Sequence, residues 1–526
     1  MLIDLNVAKP TSLEADVAII GAGAAGLTIA RKLVEAGKSV ILLESGGLDY
    51  EAETAALNDG INAGEPYYDL EDSRLRFFGG TTAIWGGRSA ELDAIDFEAR
   101  DWVAHSGWPF QAGELRAWYD AAWEVLGQQR LPGGRALDCP VEALGFNKLS
   151  VRHWYFDRKF DRFGFKANKE LVNDPRMTAV IHATVREIIP DSSGRGIKSL
   201  DVRHLGGHRL TVRARSYVLA AGGLENPRLL LASDSVCASG LGNDHDLVGR
   251  FFMEHPHGRG GKVTGAPVLK LLQAFRHRSR AGYVFAPLLT PSPGLQREMG
   301  ILNSSLTIGA RPPVNGQNAA FKRAYLHARH KVSPTKGGRS LWQFHRRLKR
   351  NLKELMGPMK PWWAIERGRK ELTLVLRAEQ SPNPDSRVLL DHELDAVGMR
   401  RIRLDWRLQA IDTASVSALV DALQEELRRL RLGEVHKAEW LEDSARGWVT
   451  DPLVSTHPIG GYHHMGTTRM SEHPSSGVTD AWGRIHGLDN LYIAGSSLFP
   501  TGGWANPTLT ILALALRTAD RMLGEL

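Results

Sequence analysis

A histidine and an asparagine near the C-terminal end are the side chains best suited to catalysis. Residues 461–470 read GYHHMGTTRM and contain His463, and residues 504–510 read WANPTLT and place Asn506 just before an apolar, helix-like run. A neutral imidazole can take up a proton near neutral pH, and an amide can orient an oxygen without adding charge. Together, His463 and Asn506 could hold a substrate hydroxyl and accept its proton.

His464 follows His463 directly, and the two histidines are not expected to share one role. Adjacent residues on an extended segment point to opposite faces, so only one of them should meet a substrate. The spacing from His463 to Gly466 and Thr467 favours His463. The competing interpretation is that both are core histidines whose ring nitrogens bond to backbone groups.

Metal and serine-nucleophile sites are not predicted. The chain has nineteen histidines, but its sequence contains no H-E-x-x-H or C-x-x-C spacing, and Cys139 and Cys237 are its only cysteines. Ser496 and Ser497 lie in AGSS, which lacks the G-x-S-x-G spacing of a nucleophile elbow.

The N-terminal segment predicts a dinucleotide cradle that could supply the redox chemistry. The predicted elements are, in order, a strand at 16–20, a helix at 27–36 and a strand at 39–43. Gly21, Gly23 and Gly26 have G-x-G-x-x-G spacing, which permits a tight turn, a close approach of phosphate and the packing of helix on strand. Glu44 follows the second strand, where an acid binds ribose hydroxyls. Nicotinamide and flavin dinucleotides both carry an ADP moiety, so this unit leaves the choice between them open.

Four parts of the sequence resemble the glucose-methanol-choline (GMC) family of flavoprotein oxidoreductases. They are 78–87 (FGGTTAIWGG) with 107–110 (GWPF), 217–231 (YVLAAGGLENPRLLL), 377–388 (RAEQSPNPDSRV) and 477–510. Their order agrees with the family. Within it, the His463-x-x-Gly466-Thr467 pattern and the NPTLT run that follows Ala505 are most similar to pyranose oxidases and related bacterial sugar and glycoside oxidoreductases.

This resemblance implies FAD as the cofactor, His463 as the catalytic base and Asn506 as its partner. Ile84 stands where pyranose oxidases often carry a histidine that is linked covalently to FAD, so the FAD should be bound without a covalent link. The segment 251–256 should pack beside the FAD-binding domain. The residues expected to contact FAD are Gly21, Gly23, Gly26, Glu44, Gly79, Gly80, Thr81, Thr82, Trp85, Gly86, Val185, Ala221, Gly495, Asn506, Pro507 and Thr508.

The implied reaction is the oxidation of a CH–OH group of a sugar or glycoside by hydride transfer to flavin N5, with O₂ or another molecule as electron acceptor. Two alternatives remain. One is an enzyme of the same fold that oxidises an apolar or long-chain alcohol at a membrane surface. The other is a non-catalytic flavoprotein that serves as an interaction module. The sequence does not distinguish an oxidase from a dehydrogenase.

The predicted fold class is α/β, with a discontinuous Rossmann-like FAD-binding domain and an α+β substrate-binding domain built on a mostly antiparallel sheet. The FAD-binding domain is assigned to 1–110, 176–258 and 452–526, the substrate-binding domain to 259–451, and a connecting segment to 111–175. In the substrate-binding domain, strands are predicted at 372–376, 387–390 and 402–406, and a helix at 414–431.

Composition agrees with a two-domain enzyme. The chain has 526 residues, of which 43% are hydrophobic, so it can bury two substantial cores. No apolar run reaches about 18 residues, and no signal-like segment precedes the first strand, so we expect a cytoplasmic location. Residues 321–370 hold fifteen Lys and Arg against two Glu, which gives a local net charge of +13 and leaves −6 for the remainder.

Part of this basic segment has the pattern of an amphipathic helix. Its apolar residues at helical spacing are Leu341, Phe344, Leu348, Leu352 and Leu355, with Arg and Lys between them and Trp362–Trp363 beyond. Three interpretations compete: a solvated helix that covers the substrate-binding domain, a membrane-surface or protein-docking element over 341–363, and an entrance lid. Nucleic-acid binding is not predicted, because no recognised module accompanies the charge.

Overall fold

The computed structural model describes the chain except residues 129–138, 158, 160, 281–282, 315–318, 333, 343, 346–356 and 444–445. The strands are β1 (Leu2–Asp4), β2 (Ser12–Ile20), β3 (Val40–Leu43), β4 (Gly60–Asn62), β5 (Arg88–Ser89), β6 (Leu149–Phe156), β7 (Met177–Ile181), β8 (Thr184–Pro190), β9 (Ile197–Arg203), β10 (Arg209–Leu219), β11 (His257–Thr264), β12 (Arg278–Arg280), β13 (Tyr283–Pro291), β14 (Ser305–Arg311), β15 (Glu371–Arg377), β16 (Arg387–Leu394), β17 (Arg400–Asp405), β18 (Glu434–Lys437) and β19 (Leu491–Ile493). The helices are α1 (Ala24–Glu35), α2 (Ala52–Ala55), α3 (Ala94–Phe97), α4 (Arg116–Val125), α5 (Lys169–Asn173), α6 (Glu225–Ala232), α7 (Val268–Ala274), α8 (Pro293–Met299), α9 (Ala319–Val332), α10 (Met359–Glu366), α11 (Ala410–Arg429) and α12 (Thr508–Glu525).

The first sheet is a Rossmann-like layer. Its strand order is β1-β7-β3-β2-β10-β9-β8, and β19 pairs with β10 beside this path. Pairing is parallel from β1 through β10 and to β19, and antiparallel for β9 and β8. The four residues at the end of β2 are buried, which places the glycine turn at the carboxyl end of a central strand. The predicted Rossmann-like domain is confirmed.

The second sheet is antiparallel and has two different faces. Its strand order is β18-β11-β15-β14-β13-β6-β5, with β12 paired to β13. On β15, Leu372, Leu374 and Leu376 belong to a buried apolar cluster that includes residues of α11. The alternate residues, among them Arg377, must face the other side, because side chains alternate along a strand. One face therefore packs on a helix, and the other is polar and turns toward the FAD-binding domain. The predicted antiparallel sheet is confirmed.

Two of the predicted substrate-domain strands lie in neither large sheet. β16 and β17 pair with each other, and β17 pairs in parallel with β4 from the N-terminal part of the chain. The helix predicted at 414–431 is α11. The connecting segment 111–175 contributes α4, which packs on α12, and β6, which joins the second sheet.

The basic helix predicted over 341–363 lies largely outside the described residues, and its Leu348, Leu352 and Leu355 are not described. At its described ends, Leu341 and Phe344 are exposed, and the rings of Trp362 and Trp363 on α10 lie 5.1 Å apart. In the part of the chain that the structure describes, no helix has both the length and the apolar character needed to cross a membrane.

Candidate active site

A cavity opens at the carboxyl ends of β2, β3 and β10, where the first sheet meets the loop after α2. Its lining includes these residues expected to contact FAD: Gly21, Gly23, Glu44, Gly79, Gly80, Thr81, Thr82, Val185, Ala221 and Gly495. These residues span more than 450 positions of the sequence, and the sheet brings them together.

The three glycines of the N-terminal turn have three different surroundings. A Cβ on Gly26 would lie 2.0 Å from the carbonyl oxygen of Gly21, so α1 packs on β2 at a distance that only glycine permits. Gly21 itself has a φ of 106°. A Cβ on Gly23, which caps α1, would meet nothing within 4 Å. The N-terminus of α1 is therefore open to an anionic group such as a pyrophosphate.

Glu44 supplies acceptor oxygens at the end of β3. Its carboxylate accepts hydrogen bonds from the backbone N–H groups of Ala22 and Gly46, each at 3.0 Å, and burial raises its pKa. A carboxylate in this position can also accept a hydroxyl hydrogen from a ribose. With the open end of α1, it gives the cavity the donors and acceptors that the ADP part of FAD requires.

The loop at 78–87, which resembles the family's flavin-attachment loop and is called the attachment loop below, lines part of the same cavity. Gly80–Ile84 forms a 3₁₀ turn, and Trp85 and Gly86 come directly after it. The indole N–H of Trp85 is buried and has no hydrogen-bond partner among the described residues. Such an orphaned donor fits a loop that contacts a bound cofactor.

His463 and Asn506 lie side by side. Asn506 stands just before α12, which Pro507 caps and Thr508 begins, and its Nδ2 lies 3.0 Å from Nε2 of His463. The chain brings them together across a gap of 43 residues, because 461–470 runs beside the segment that leads into α12.

A third residue, His255, fixes the tautomer of His463. Nε2 of His255 lies 2.8 Å from the carbonyl oxygen of Gly503, and a carbonyl only accepts, so this nitrogen carries the proton. Nδ1 of a neutral His255 is then an acceptor, and it lies 2.8 Å from Nδ1 of His463, which must donate. Nε2 of His463 consequently keeps its lone pair and points toward Asn506.

Burial keeps both rings neutral. It lowers the pKa of His463 well below 6.5, and His255 and His257 add to this effect. Burial also lowers the pKa of His255. His463 is thus a neutral imidazole whose Nε2 lone pair accepts the Nδ2–H of Asn506, an arrangement that can accept a proton without prior deprotonation once that donor is displaced.

The buried carboxylate of Glu254 holds the chain around His463. It accepts the backbone N–H groups of His255 at 2.8 Å, of Gly461 at 3.1 Å and of His463 at 2.9 Å. Its other oxygen accepts the hydroxyl of Tyr67 at 2.6 Å. Burial raises the pKa of Glu254, and these donors oppose the rise. Its Oε1 also lies 3.9 Å from Nδ1 of His463, close enough to stabilise a protonated ring.

His464 points to the other side of the chain. Tyr462, two residues earlier, has a φ of 62°, a strained left-handed conformation that turns the backbone here. Nε2 of His464 lies 3.0 Å from the hydroxyl of Tyr67, and its ring packs against Phe252 at 5.9 Å. Burial lowers the pKa of His464 to about 3. His464 also lines the cofactor cavity, whereas the ring of His463 meets Asn506.

Sequence analysis missed His255 and Glu254, since it treated 251–256 as packing beside the FAD-binding domain. The sequence did contain a pattern that could have indicated His255. His255 and His257 are two residues apart, and His257 begins a strand, so an extended approach to that strand would place both side chains on one face. The bond to His463 itself joins residues 208 positions apart, and no local pattern specifies it.

Two family models match the chain. The model described as FAD dependent oxidoreductase matches residues 16–234, and the model described as GMC oxidoreductase matches residues 382–515. The first covers the glycine turn, Glu44 and the attachment loop, and the second covers His463 and Asn506. FAD as the cofactor is thereby confirmed.

Relatives of known activity match along nearly the whole chain. Paromamine 6'-oxidase of Streptomyces fradiae is 26% identical, over 97% of this chain and 92% of its own length. The 2-methyl-1,2-propanediol dehydrogenase of Mycolicibacterium austroafricanum is 25% identical, over 96% of this chain and 95% of its own.

A solved structure has the same fold. The crystal structure of pyridoxine 4-oxidase from Mesorbium loti superposes with a TM-score of 0.59 at 18% identity, and covers 97% of this chain and 99% of that one. The family models, the full-length relatives and the flavin cavity lead to one conclusion. The chain belongs to the GMC oxidoreductase family and is an FAD-dependent enzyme that acts on alcohol groups.

Proposed function

We propose that the enzyme oxidises a hydroxyl-bearing carbon of a sugar or glycoside, with His463 as the base and Asn506 as its hydrogen-bonding partner. The observation that carries the proposal is the 3.0 Å contact between Nε2 of His463 and Nδ2 of Asn506. In the structure the amide N–H donates to this lone pair; an alcohol that enters between the two groups would donate its O–H to Nε2 and accept an N–H of Asn506. The activity of the paromamine oxidase favours a sugar hydroxyl as the group oxidised.

The roles of the side chains follow from their positions. FAD, when bound, supplies the acceptor for the hydride that leaves the carbon. His463 takes the hydroxyl proton at Nε2, while Asn506 orients the same oxygen. His255 holds the His463 ring through Nδ1, and the Glu254 carboxylate offsets the positive charge that His463 acquires.

We also propose which residues hold the cofactor. Gly23 and the open end of α1 would take the pyrophosphate, and Glu44 the ribose. Trp85, Gly86 and the start of α12 would contact the flavin end, since the indole N–H of Trp85 is a buried donor that no described residue accepts, and Asn506, just before α12, contacts His463. Gly26 acts indirectly, since it lets α1 pack closely enough on β2 to present its N-terminus.

A substrate panel tests the proposal. The purified yellow enzyme is mixed without oxygen with monosaccharides, glycosides, short branched diols and long-chain alcohols, and the flavin absorbance is followed. Bleaching by a sugar or glycoside supports the proposal, and recovery of colour on admitting air identifies an oxidase. Bleaching by a branched diol alone would favour the second candidate, a small non-sugar alcohol, which the similarity to the propanediol dehydrogenase supports. If no alcohol bleaches the flavin, the function proposed here is wrong.

FAD is expected to leave the protein when the protein is denatured with acid. Ile84 has no nucleophilic atom with which to form a covalent bond to the flavin, and it stands where related enzymes carry the linking histidine. After acid precipitation and centrifugation, the yellow colour should be in the supernatant, and mass spectrometry should give the mass of the unmodified polypeptide. Colour that stays in the pellet would contradict this prediction.

Glu254→Gln should lower stability and slow flavin reduction while FAD remains bound. An amide offers one acceptor oxygen where the carboxylate offers two, so while that oxygen accepts the backbone N–H groups the Tyr67 hydroxyl can no longer donate to residue 254, at a cost of about 1–3 kcal/mol. The charge that faces Nδ1 of His463 is lost as well. Thermal melts and anaerobic stopped-flow measure the two effects, with the exposed Glu14→Gln as control. Unchanged reduction in Glu254→Gln would remove this carboxylate from the mechanism.

A further inference from the structure

The polar face of the second sheet is rich in arginine. Arg377 ends β15 and Arg88 begins β5, and both lie over the ring of Trp154 on β6. The guanidinium carbon is 4.9 Å from the ring centroid for Arg377 and 5.3 Å for Arg88. The face thus places two guanidinium groups over the ring of one tryptophan.

Other arginines of this face are paired with carboxylates. Arg259 contacts Asp451 at 2.6 Å and Glu371 at 2.7 Å, and Arg152 contacts Asp93 at 2.8 Å. These pairs show how the fold ordinarily neutralises a cation here.

Arg88 and Arg377 have no such partner. Within the described part of the chain, neither makes an ion pair or a side-chain hydrogen bond, and the Nε atoms of both are buried and unsatisfied. The indole N–H of Trp154 between them is also buried without an acceptor. All three groups are donors, so what the cluster lacks is an acceptor with negative charge.

The cluster lies beside the catalytic residues and apart from the cofactor cavity. In the β11–β15 ladder, Arg377 pairs with His257. His257 is two residues after His255, and His255 bonds to His463. The rings of Trp154 and Trp504 are 6.3 Å apart, and Trp504 is two residues before Asn506. Neither Arg88 nor Arg377 lines the cavity at the end of β2.

We propose that Arg88 and Arg377 bind an anionic group of the substrate, a carboxylate or a phosphate monoester, while His463 acts on a hydroxyl of the same molecule. This proposal rests on the proposed function, because it assigns the substrate class of that site. It selects acidic or phosphorylated sugars over neutral sugars and over aminosugars.

The charges of Arg88 and Arg377 explain why a neutral ligand would not stabilise this cluster. Burial, with a smaller contribution from nearby Arg311, lowers the pKa of Arg88 to about 10; burial, Arg88 and Arg311 all lower the pKa of Arg377. Guanidinium groups nevertheless stay charged in proteins, so the cluster carries an uncompensated cost. A carboxylate or phosphate removes that cost through charge-assisted, bidentate hydrogen bonds.

The first test measures anion binding without catalysis. The FAD-loaded enzyme is titrated calorimetrically with inorganic phosphate and with acetate at constant ionic strength, since neither anion has a carbon-bound hydroxyl to oxidise. Binding should weaken at least tenfold in Arg88→Met and in Arg377→Met. It should not change in Arg297→Met, which removes an exposed arginine of the same domain. Tighter binding of phosphate indicates a phosphate monoester, and tighter binding of acetate a carboxylate.

Thermal stability gives a second readout with a definite sign. In buffer without polyvalent anions, Arg88→Met and Arg377→Met should raise the melting temperature, because each removes a half-buried cation that no carboxylate of the described residues pairs. Arginines that serve the fold would give lower melting temperatures, and that result overturns the proposal. So does a wild-type enzyme that binds neither anion, or affinities that are equal in wild type and variants.

Turnover separates this proposal from the function on which it rests. With glucuronate and glucose 6-phosphate, kcat/KM should fall at least tenfold more in the arginine variants than kcat/KM for glucose does. If no alcohol bleaches the flavin but phosphate or acetate still binds through both arginines, the anion site stands and the proposed function fails. If sugars bleach the flavin but anions do not bind, the anion site fails and the oxidation stands.

Discussion

His463→Ala should slow anaerobic flavin reduction by about 10²- to 10⁴-fold, the usual worth of a general base. The variant should keep its FAD, because the His463 ring does not line the cofactor cavity. Asn506→Ala should slow reduction less, since it removes an orienting group and leaves the base. Stopped-flow measurement of the flavin absorbance with a substrate that bleaches the wild type provides the rates.

The pH dependence of the same rate adds a check. The base acts in its unprotonated form, and burial lowers the pKa of His463 well below 6.5. The wild-type rate should therefore stay high as the pH falls through 6.5 and decline only at lower pH. In His463→Ala the rate should no longer decline at low pH. His473→Ala, which alters an exposed histidine of the same segment, should keep the wild-type rate and its decline at low pH. A His463→Ala rate close to that of the wild type would exclude this residue as the base.

Arg228→Met should destabilise the folded enzyme by about 3–5 kcal/mol, the cost of leaving buried carboxylates without their cation. The Arg228 side chain is fully buried and contacts Glu225 at 3.0 Å and Asp395 at 2.7 Å. It also donates to the carbonyl oxygens of Leu57 at 3.0 Å and Arg400 at 2.8 Å. Arg228 thus joins α6 of the FAD-binding layer to the small sheet of β4, β16 and β17.

The destabilisation caused by Arg228→Met should depend on pH. Burial alone would raise the pKa of Glu225, but Arg76, Arg228 and Arg74 hold it below its ordinary value of 4.5. A depressed pKa contributes stability that is present above 4.5 and is lost as the pH falls through the folded-state value. The difference in melting temperature between wild type and Arg228→Met should accordingly be largest near neutral pH and shrink on acidification. Arg213→Met, at an exposed position on β10, should melt like the wild type, and an equal loss in both variants would refute the argument.

The N-terminal unit was predictable because its signals are local. The predicted strand at 16–20 is the inner end of β2, whose outer half is partly exposed and lacks an apolar run. The predicted helix at 27–36 and strand at 39–43 lie within a few residues of α1 and β3. Glycine spacing and buried apolar runs act over a few residues, so sequence reasoning reaches them.

Long-range pairing was not predictable by the same means. The strands at 387–390 and 402–406 were found, but nothing in their pattern shows that β17 would pair with Gly60–Asn62. The unpaired state of Arg88 and Arg377 is likewise a property of the assembled face. Strand alternation could place Arg377 on the face of β15 that Leu376 does not share, yet only the tertiary structure shows that none of the described carboxylates pairs with it. The role of the basic segment 321–370 stays a prediction.

The interleaving of the FAD-binding layer also has a consequence for biosynthesis. β2 pairs with β10, β10 pairs with β19, and β19 follows β2 by more than 450 residues. At about 5–20 residues per second, a ribosome needs roughly half a minute or longer between making the first of these strands and the last. From the synthesis of β10 until that of β19, Tyr217–Leu219 at the end of β10 lack the strand that pairs with them, and such an unpaired stretch is a site of misassembly. The emergence of β19 and α12 then closes the layer and positions Asn506, so under the proposed function the newly made enzyme becomes competent for catalysis only after these two late elements have been made.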